Sequence, residues 1–236
     1  IQFGVVSCHQ SQCYTQQAGN YHTAKITNII GVIVGDKIDL GAFEIQSPQI
    51  IPGEYIQTVT LDSQNYYLIE SCKTVNLTIK KLKINLNTVV FNSATFTYDK
   101  DKSYSLSITG LKDEYKDIVE VSYSGNGQTD VLLDSNGNVT AYTVYANFQV
   151  DENLYELTNG YTRTAKLTIL KQFVDLSSVS LPNVSITYDG LEHDVQIVGT
   201  VPSQISNYVY YNNTPKKEVG TYNIKVVFEL SDTKNY

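Results

Sequence analysis

Apolar and polar residues alternate with a period of two along most of this chain, in short runs broken by Gly, Asn and Asp. Val89–Phe91, Thr95–Tyr98, Tyr104–Ile108 and Ile118–Tyr123 each set apolar side chains at every second position, the pattern of a strand with one buried face. Tyr142–Phe148 and Arg163–Leu170 continue it. One stretch, Leu111–Asp117 (LKDEYKD), has helical spacing, and it is long enough for a single short turn. Gly125-Asn126-Gly127 breaks the alternation as a turn. Asp134–Asn138 (DSNGN) lies between two alternating runs and predicts a hairpin, because Asn136 and Gly137 both accept positive φ.

The pattern repeats. Asn92–Asp99 (NSATFTYD) is echoed by Pro182–Asp189 (PNVSITYD), so Tyr98-Asp99 maps onto Tyr188-Asp189 ninety positions on. Each copy is followed by an alternating run that ends in Gly, at Gly110 and Gly199. PGEYIQTVTL from Pro52, TAYTVYANF from Thr140 and VGTYNIKVVF from Val219 form a second shared block. TVNLTIKK from Thr74 and TAKLTILK from Thr164 form a third, again ninety apart. Tandem units of this kind fold one by one, and the array sets reach. The boundaries read as a divergent, N-terminally incomplete first repeat (1–82), a second repeat (83–172) and a third (173–236) that stops before a TAKLTI-like strand. The opening segment through about residue 30 matches the other copies poorly, and no Pro-, Ser- or Gly-rich linker separates them.

The expected fold is all-β: tandem antiparallel modules of about ninety residues, each with roughly seven short strands. An immunoglobulin-like sandwich is favoured. Tyr55 in PGEY and Tyr222 in VGTY follow a turn and precede a long strand, the position of a tyrosine corner whose hydroxyl returns to its own backbone. Tyr142 fills that place in the second repeat without the Gly. A β-grasp is the alternative arrangement, for which Leu111–Asp117 is a short helix.

Composition agrees with a β-rich array. Of 236 residues, 42% are hydrophobic and 17% charged, against about 25% charged on average, so Thr, Ser, Asn and Gln must supply surface polarity. Nineteen tyrosines give rings to cores and hydroxyls to rims. The net charge of −7, with no basic run longer than a Lys pair, argues against nucleic acid and anionic membranes as partners. No apolar stretch reaches the roughly 20 residues of a membrane helix. A chain that begins at Ile1 and contains no Met reads as a piece of a longer protein. Cys8, Cys13 and Cys72 all fall in the first repeat and lack the ligand spacing of a zinc site; a disulfide from Cys72 to Cys8 or Cys13 is expected if the protein is exported.

Thr187–Gly190 (TYDG), HDVQIVG, VGTYNIKVVF and Asp232–Tyr236 (DTKNY) together resemble the MBG-type (YDG-containing) repeat of bacterial surface proteins. The second repeat is similar with TYDK for TYDG and Asp151–Tyr155 (DENLY) for the terminal motif; the first keeps PGEY, DSQNYY and TVNLTI. The resemblance covers most of residues 40–236. It implies a secreted or wall-attached array, the stalk of an adhesin-like protein.

Candidate chemistry is sparse. No nucleophile elbow occurs, and His193 and Asp194, as strand neighbours, point to opposite faces. His9 and His22 have no third partner in sequence. The pairs Asp99/Asp101 and Asp113/Glu114 read as loop-solvating acids rather than a general acid and base. Asp134, Asn136 and Asn138 begin like a calcium loop, but Val139 and Tyr145 stand where Gly and Glu are needed. Gly125–Gly127 has neither the helix nor the Lys of a phosphate loop. A Lys–Asn cross-link, seen in some wall-anchored sandwiches, would lower the mass by one small leaving molecule. The expectation is therefore a non-enzymatic spacer without cofactor or metal, a monomeric rod on the cell surface, with host glycan or protein engaged through other parts of the full-length chain. The competing reading is a binding module using Tyr208, Tyr210 and Tyr211; accessory domains of a large secreted enzyme are a third.

Overall fold

A computed structural model describes residues 9–13, 21–24, 42–46, 48–64, 66–68 and 70–236, the first of these segments by its backbone. The strands are β1 (His9–Cys13), β2 (Phe43–Ile45), β3 (Gly53–Leu61), β4 (Thr74–Lys80), β5 (Leu82–Asn85) and β6 (Ala94–Thr97). They continue with β7 (Glu120–Ser124), β8 (Leu132–Leu133), β9 (Val139–Gln149), β10 (Tyr155–Thr158), β11 (Thr162–Leu170), β12 (Ile205–Tyr211) and β13 (Lys225–Leu230). Among the described residues there is no α-helix, and Leu111–Asp117 yields a single 3-10 turn at Asp113–Tyr115. The fold is all-β, as the period-two pattern predicts. The chain divides into two compact units, one of residues 1–89, 110–121 and 147–161, the other of 90–109, 122–146 and 162–236.

In the first unit the sheet order is β1-β4-β3-β2. Alternation decides which faces are buried: Val75, Leu77 and Ile79 of β4 turn inward while Thr74, Asn76 and Lys80 face solvent. A core cluster gathers Ala24, Val59, Leu68, Cys72 and Val75. Gln57 of β3 is fully buried on the same side, and its Oε1 accepts the Ala24 N–H at 2.7 Å. That bond satisfies an amide whose unpaired burial would cost about 1–3 kcal/mol. Cys8 lies outside the described residues and Cys13 is described by backbone alone, so the expected disulfide at Cys72 falls outside what the structure describes.

The five-stranded sheet belongs mainly to the second unit, in the order β6-β11-β9-β7 with β8 on β9. Between β6 and β9 lies β11, which buries Ala165, Leu167 and Ile169 against Tyr104, Leu106, Val131 and Val144. β6 and β11 run parallel, with Leu167 opposite Ala94 and Ile169 opposite Phe96. β1–β4 and β5–β10 are parallel too. Periodicity is silent on strand direction, and partners this far apart in sequence can meet either way. In the third repeat β12 and β13 form an antiparallel pair. Val184–Tyr188, whose alternation matches β6, carries no ladder.

Candidate functional site

Three fixtures recur at equivalent positions of the second and third repeats, two of them side chains that tie a loop to backbone. Asn126 accepts the Leu106 N–H through Oδ1 at 2.7 Å and donates from Nδ2 to the Leu106 carbonyl at 2.7 Å. Asn213 treats Val195 the same way, at 3.2 and 2.8 Å. The Tyr123 hydroxyl accepts the Ile108 N–H at 3.0 Å, and the Tyr210 hydroxyl accepts the Ile197 N–H at 2.8 Å. In each copy the residue before the Asn holds positive φ, Gly125 at 74° and Asn212 at 60°. The third fixture is a glycine beneath a carbonyl: a Cβ on Gly110 would lie 2.0 Å from the Thr88 oxygen, and one on Gly199 1.8 Å from that of Ser178.

The tyrosine corners form where the turns predict them. Tyr55 donates its hydroxyl to the Ile51 carbonyl at 2.8 Å, and Tyr222 to Glu218 at 2.9 Å, each four residues back. The ring lies over the glycine two positions earlier, so Gly53 and Gly220 make room for it. Tyr142 reaches instead to Asp130, twelve residues back, at 2.9 Å.

Asp232–Tyr236 folds against the loop that contains Asp130. Asn235 is buried, and its Oδ1 accepts the Val131 N–H at 2.8 Å while Nδ2 donates to Asp130 and Asp232. Lys234 Nζ meets the other Asp130 oxygen at 3.0 Å, and the Gln172 N–H reaches the Asn235 carbonyl at 2.9 Å. The Tyr236 ring meets Tyr98 edge-on at 5.4 Å. Burial pushes the Asp232 carboxyl up, but hydrogen bonds from Asn235 and the Lys234 N–H outweigh it and hold it below its ordinary value. Desolvation, with the Tyr236 and Asp232 charges nearby, raises the Tyr98 hydroxyl.

An open trough of about 640 Å³ runs through the third repeat, between Val184–Tyr188 and Val219–Ile224. Its lining mixes polar groups with apolar side chains left in water: Val184 is 54% exposed, Ile186 49% and Tyr188 60%. The matching residues of the second repeat, Ala94, Phe96 and Tyr98, are partly buried against the cluster that holds Leu167 and Ile169.

The acids and histidines singled out in the sequence are dispersed into turns. His193 pairs with Asp189, at 2.9 Å, rather than with Asp194, whose carboxylate accepts from Gln196. The His193 contact and the Leu191 N–H hold the Asp189 carboxyl low. Asp99 meets Lys102 and Asp113 meets Lys116, three residues on, while Glu114 meets Lys112. Asp134 accepts the N–H groups of Asn136 and Asn138 at 2.9 Å, so its carboxylate closes the hairpin. His22 joins Gln49 in a backbone bridge, and the His9 side chain lies outside the described residues. Tyr208 and Tyr210 share a face, 5.9 Å apart, and Tyr211 is 54% exposed. Among the described residues no three His, Cys, Asp or Glu side chains converge as metal ligands, and the buried polar residues are Gln57 and Asn235.

The Asn126, Asn213 and Asn235 clamps are absent from the sequence reading. The signal for two of them was present in the aligned copies, where Tyr123-Ser-Gly-Asn126 matches Tyr210-Tyr-Asn-Asn213. Neither a family model nor a curated protein matches this chain.

Proposed function

We propose that this chain is a structural spacer, a repeat region of an extracellular, adhesin-like bacterial surface protein, and that it performs no catalysis. The observation that carries this reading is the recurrence of the same loop fixtures in successive copies. Asn126 and Asn213, Tyr123 and Tyr210, and Gly110 and Gly199 all serve to hold backbone. Side chains kept in register from copy to copy for holding shape are what a load-bearing array requires. Turnover of a substrate needs the opposite, one copy departing from the rest with converging titratable groups. The motif resemblance to MBG-type repeats points the same way, and it supplies the bacterial and cell-surface parts of the reading.

Stretching single molecules between handles at the two termini tests it. A spacer extends in discrete steps at forces of tens of piconewtons or more, and chains with extra repeats extend proportionally. Smooth extension at low force overturns the reading. The exposed Tyr208 and Tyr211 favour a second one, a glycan- or protein-binding module. Saturable binding on a glycan array that Tyr211→Ala abolishes would establish it. Tyr210→Ala is the poorer probe, because the Tyr210 hydroxyl holds the Ile197 N–H.

A further inference from the structure

We infer that the trough of the third repeat is a strand-acceptor site, and that its occupant is an extended segment with the chemistry of Thr162–Leu170. The second repeat provides the template. There β11 lies between β6 and β9, parallel to β6, and drops Ala165, Leu167 and Ile169 into the core. The third repeat reproduces both walls of that slot. β12 and β13 correspond to β7 and β9, as the Tyr123/Tyr210 and Tyr142/Tyr222 matches show, and Val184–Thr187 corresponds to β6. Among the described residues β13 pairs with β12 alone, and Val219–Ile224, the stretch that leads into β13, forms one wall of the trough. Val184–Thr187 is an unpaired stretch across the trough.

A strand entering between them finds hydrogen-bonding groups on both sides and apolar side chains beneath. Strand addition draws its affinity from the main chain and its selectivity from alternate side chains. The alternate side chains needed are small or aliphatic, because Val184, Ile186 and Ile224 line the trough where Ala94 and Phe96 meet β11. An amphipathic helix does not fit, since it would leave the backbone groups of both walls unpaired. A flat sugar or nucleotide would leave the same groups unpaired. The inference stands on the internal repeat and does not depend on the spacer reading.

Hydrogen exchange on the intact chain, read at the amides of residues 184–187 and 225–228, tests it with two probes. The first is a synthetic peptide of residues 162–171 added in excess; the second is the chain with residues 156–171 appended after Tyr236, where they follow Tyr155 in the second repeat. Both are expected to slow exchange at those amides by at least about tenfold, and to raise the melting temperature. The same probes carrying Leu167→Asp and Ile169→Asp are expected to do neither. The appended chain decides if the free peptide, which must give up translational freedom, binds too weakly to register. Equal exchange in the parent and appended chains overturns the inference, as does equal protection by the Asp-bearing probe. Concentration-dependent protection without any probe, with a dimer in sedimentation, also overturns it by making a second copy the occupant.

Discussion

Gly110 and Gly137 have nearly the same φ, 77° and 80°, yet they answer to different constraints. Nothing lies within 4 Å of a Cβ built on Gly137, so Gly137→Ala meets only the left-handed backbone penalty of about 1–2 kcal/mol. At Gly110 the same methyl meets the Thr88 carbonyl oxygen, and backbone has to move. Gly110→Ala is therefore expected to cost clearly more than Gly137→Ala, and Gly199→Ala likewise, in denaturant midpoints at constant slope. Carboxylates set a second residue-scale expectation. The N–H groups of Asn138 and Asn136 hold Asp134 below its ordinary value, and His193 and the Leu191 N–H do the same for Asp189. A folded-state pKa below the unfolded one contributes stability that is present above the unfolded pKa, near 4, and lost as pH falls through the folded value. The melting temperature should thus hold steady from neutral pH to about 5, then fall below about 4. Asp134→Asn should flatten part of that acid limb.

At the scale of the element, β11 shows how one strand carries unequal faces. Leu167 is fully buried, whereas Leu170 is 44% exposed. Leu167→Ala is expected to cost about 2–5 kcal/mol and Leu170→Ala about 0.5 kcal/mol or less, measured by thermal or chemical unfolding. Alternation in TAKLTIL made those faces legible in advance, and local turn chemistry did the same for the Asp134–Asn138 hairpin and the corners at Tyr55 and Tyr222. Direction was not legible. β6 and β11 pair in parallel across more than sixty intervening residues, and alternation reads identically in either sense. Nor does alternation guarantee a strand. Val184–Tyr188 has the pattern of β6 without a neighbouring strand, and it stays outside any ladder. The Asn clamps were hidden for a related reason: Asn126 and Leu106 are twenty residues apart, and no local rule joins them.

At the scale of the whole molecule, cohesion in the second unit runs through side-chain amides as well as through the apolar cluster. Asn235 takes the Val131 N–H in a buried bond, 104 residues apart in sequence, and holds two carboxylates with its other end. Asn235→Ala leaves that N–H without its acceptor, at an expected cost of about 1–3 kcal/mol. Exchange at the Val131 amide is expected to quicken in that variant while β11 amides stay protected, which separates loss of the clamp from global unfolding.

Because that amide belongs to one repeat and its acceptor to the next, counting residues is a poor guide to where the protein can be cut. Scissors placed at residue 172 would give a tidy ninety-residue piece whose Asp130 loop had lost its lid. A fragment carried on through Tyr236 keeps the lid in place, and it should be the sturdier of the two on the bench.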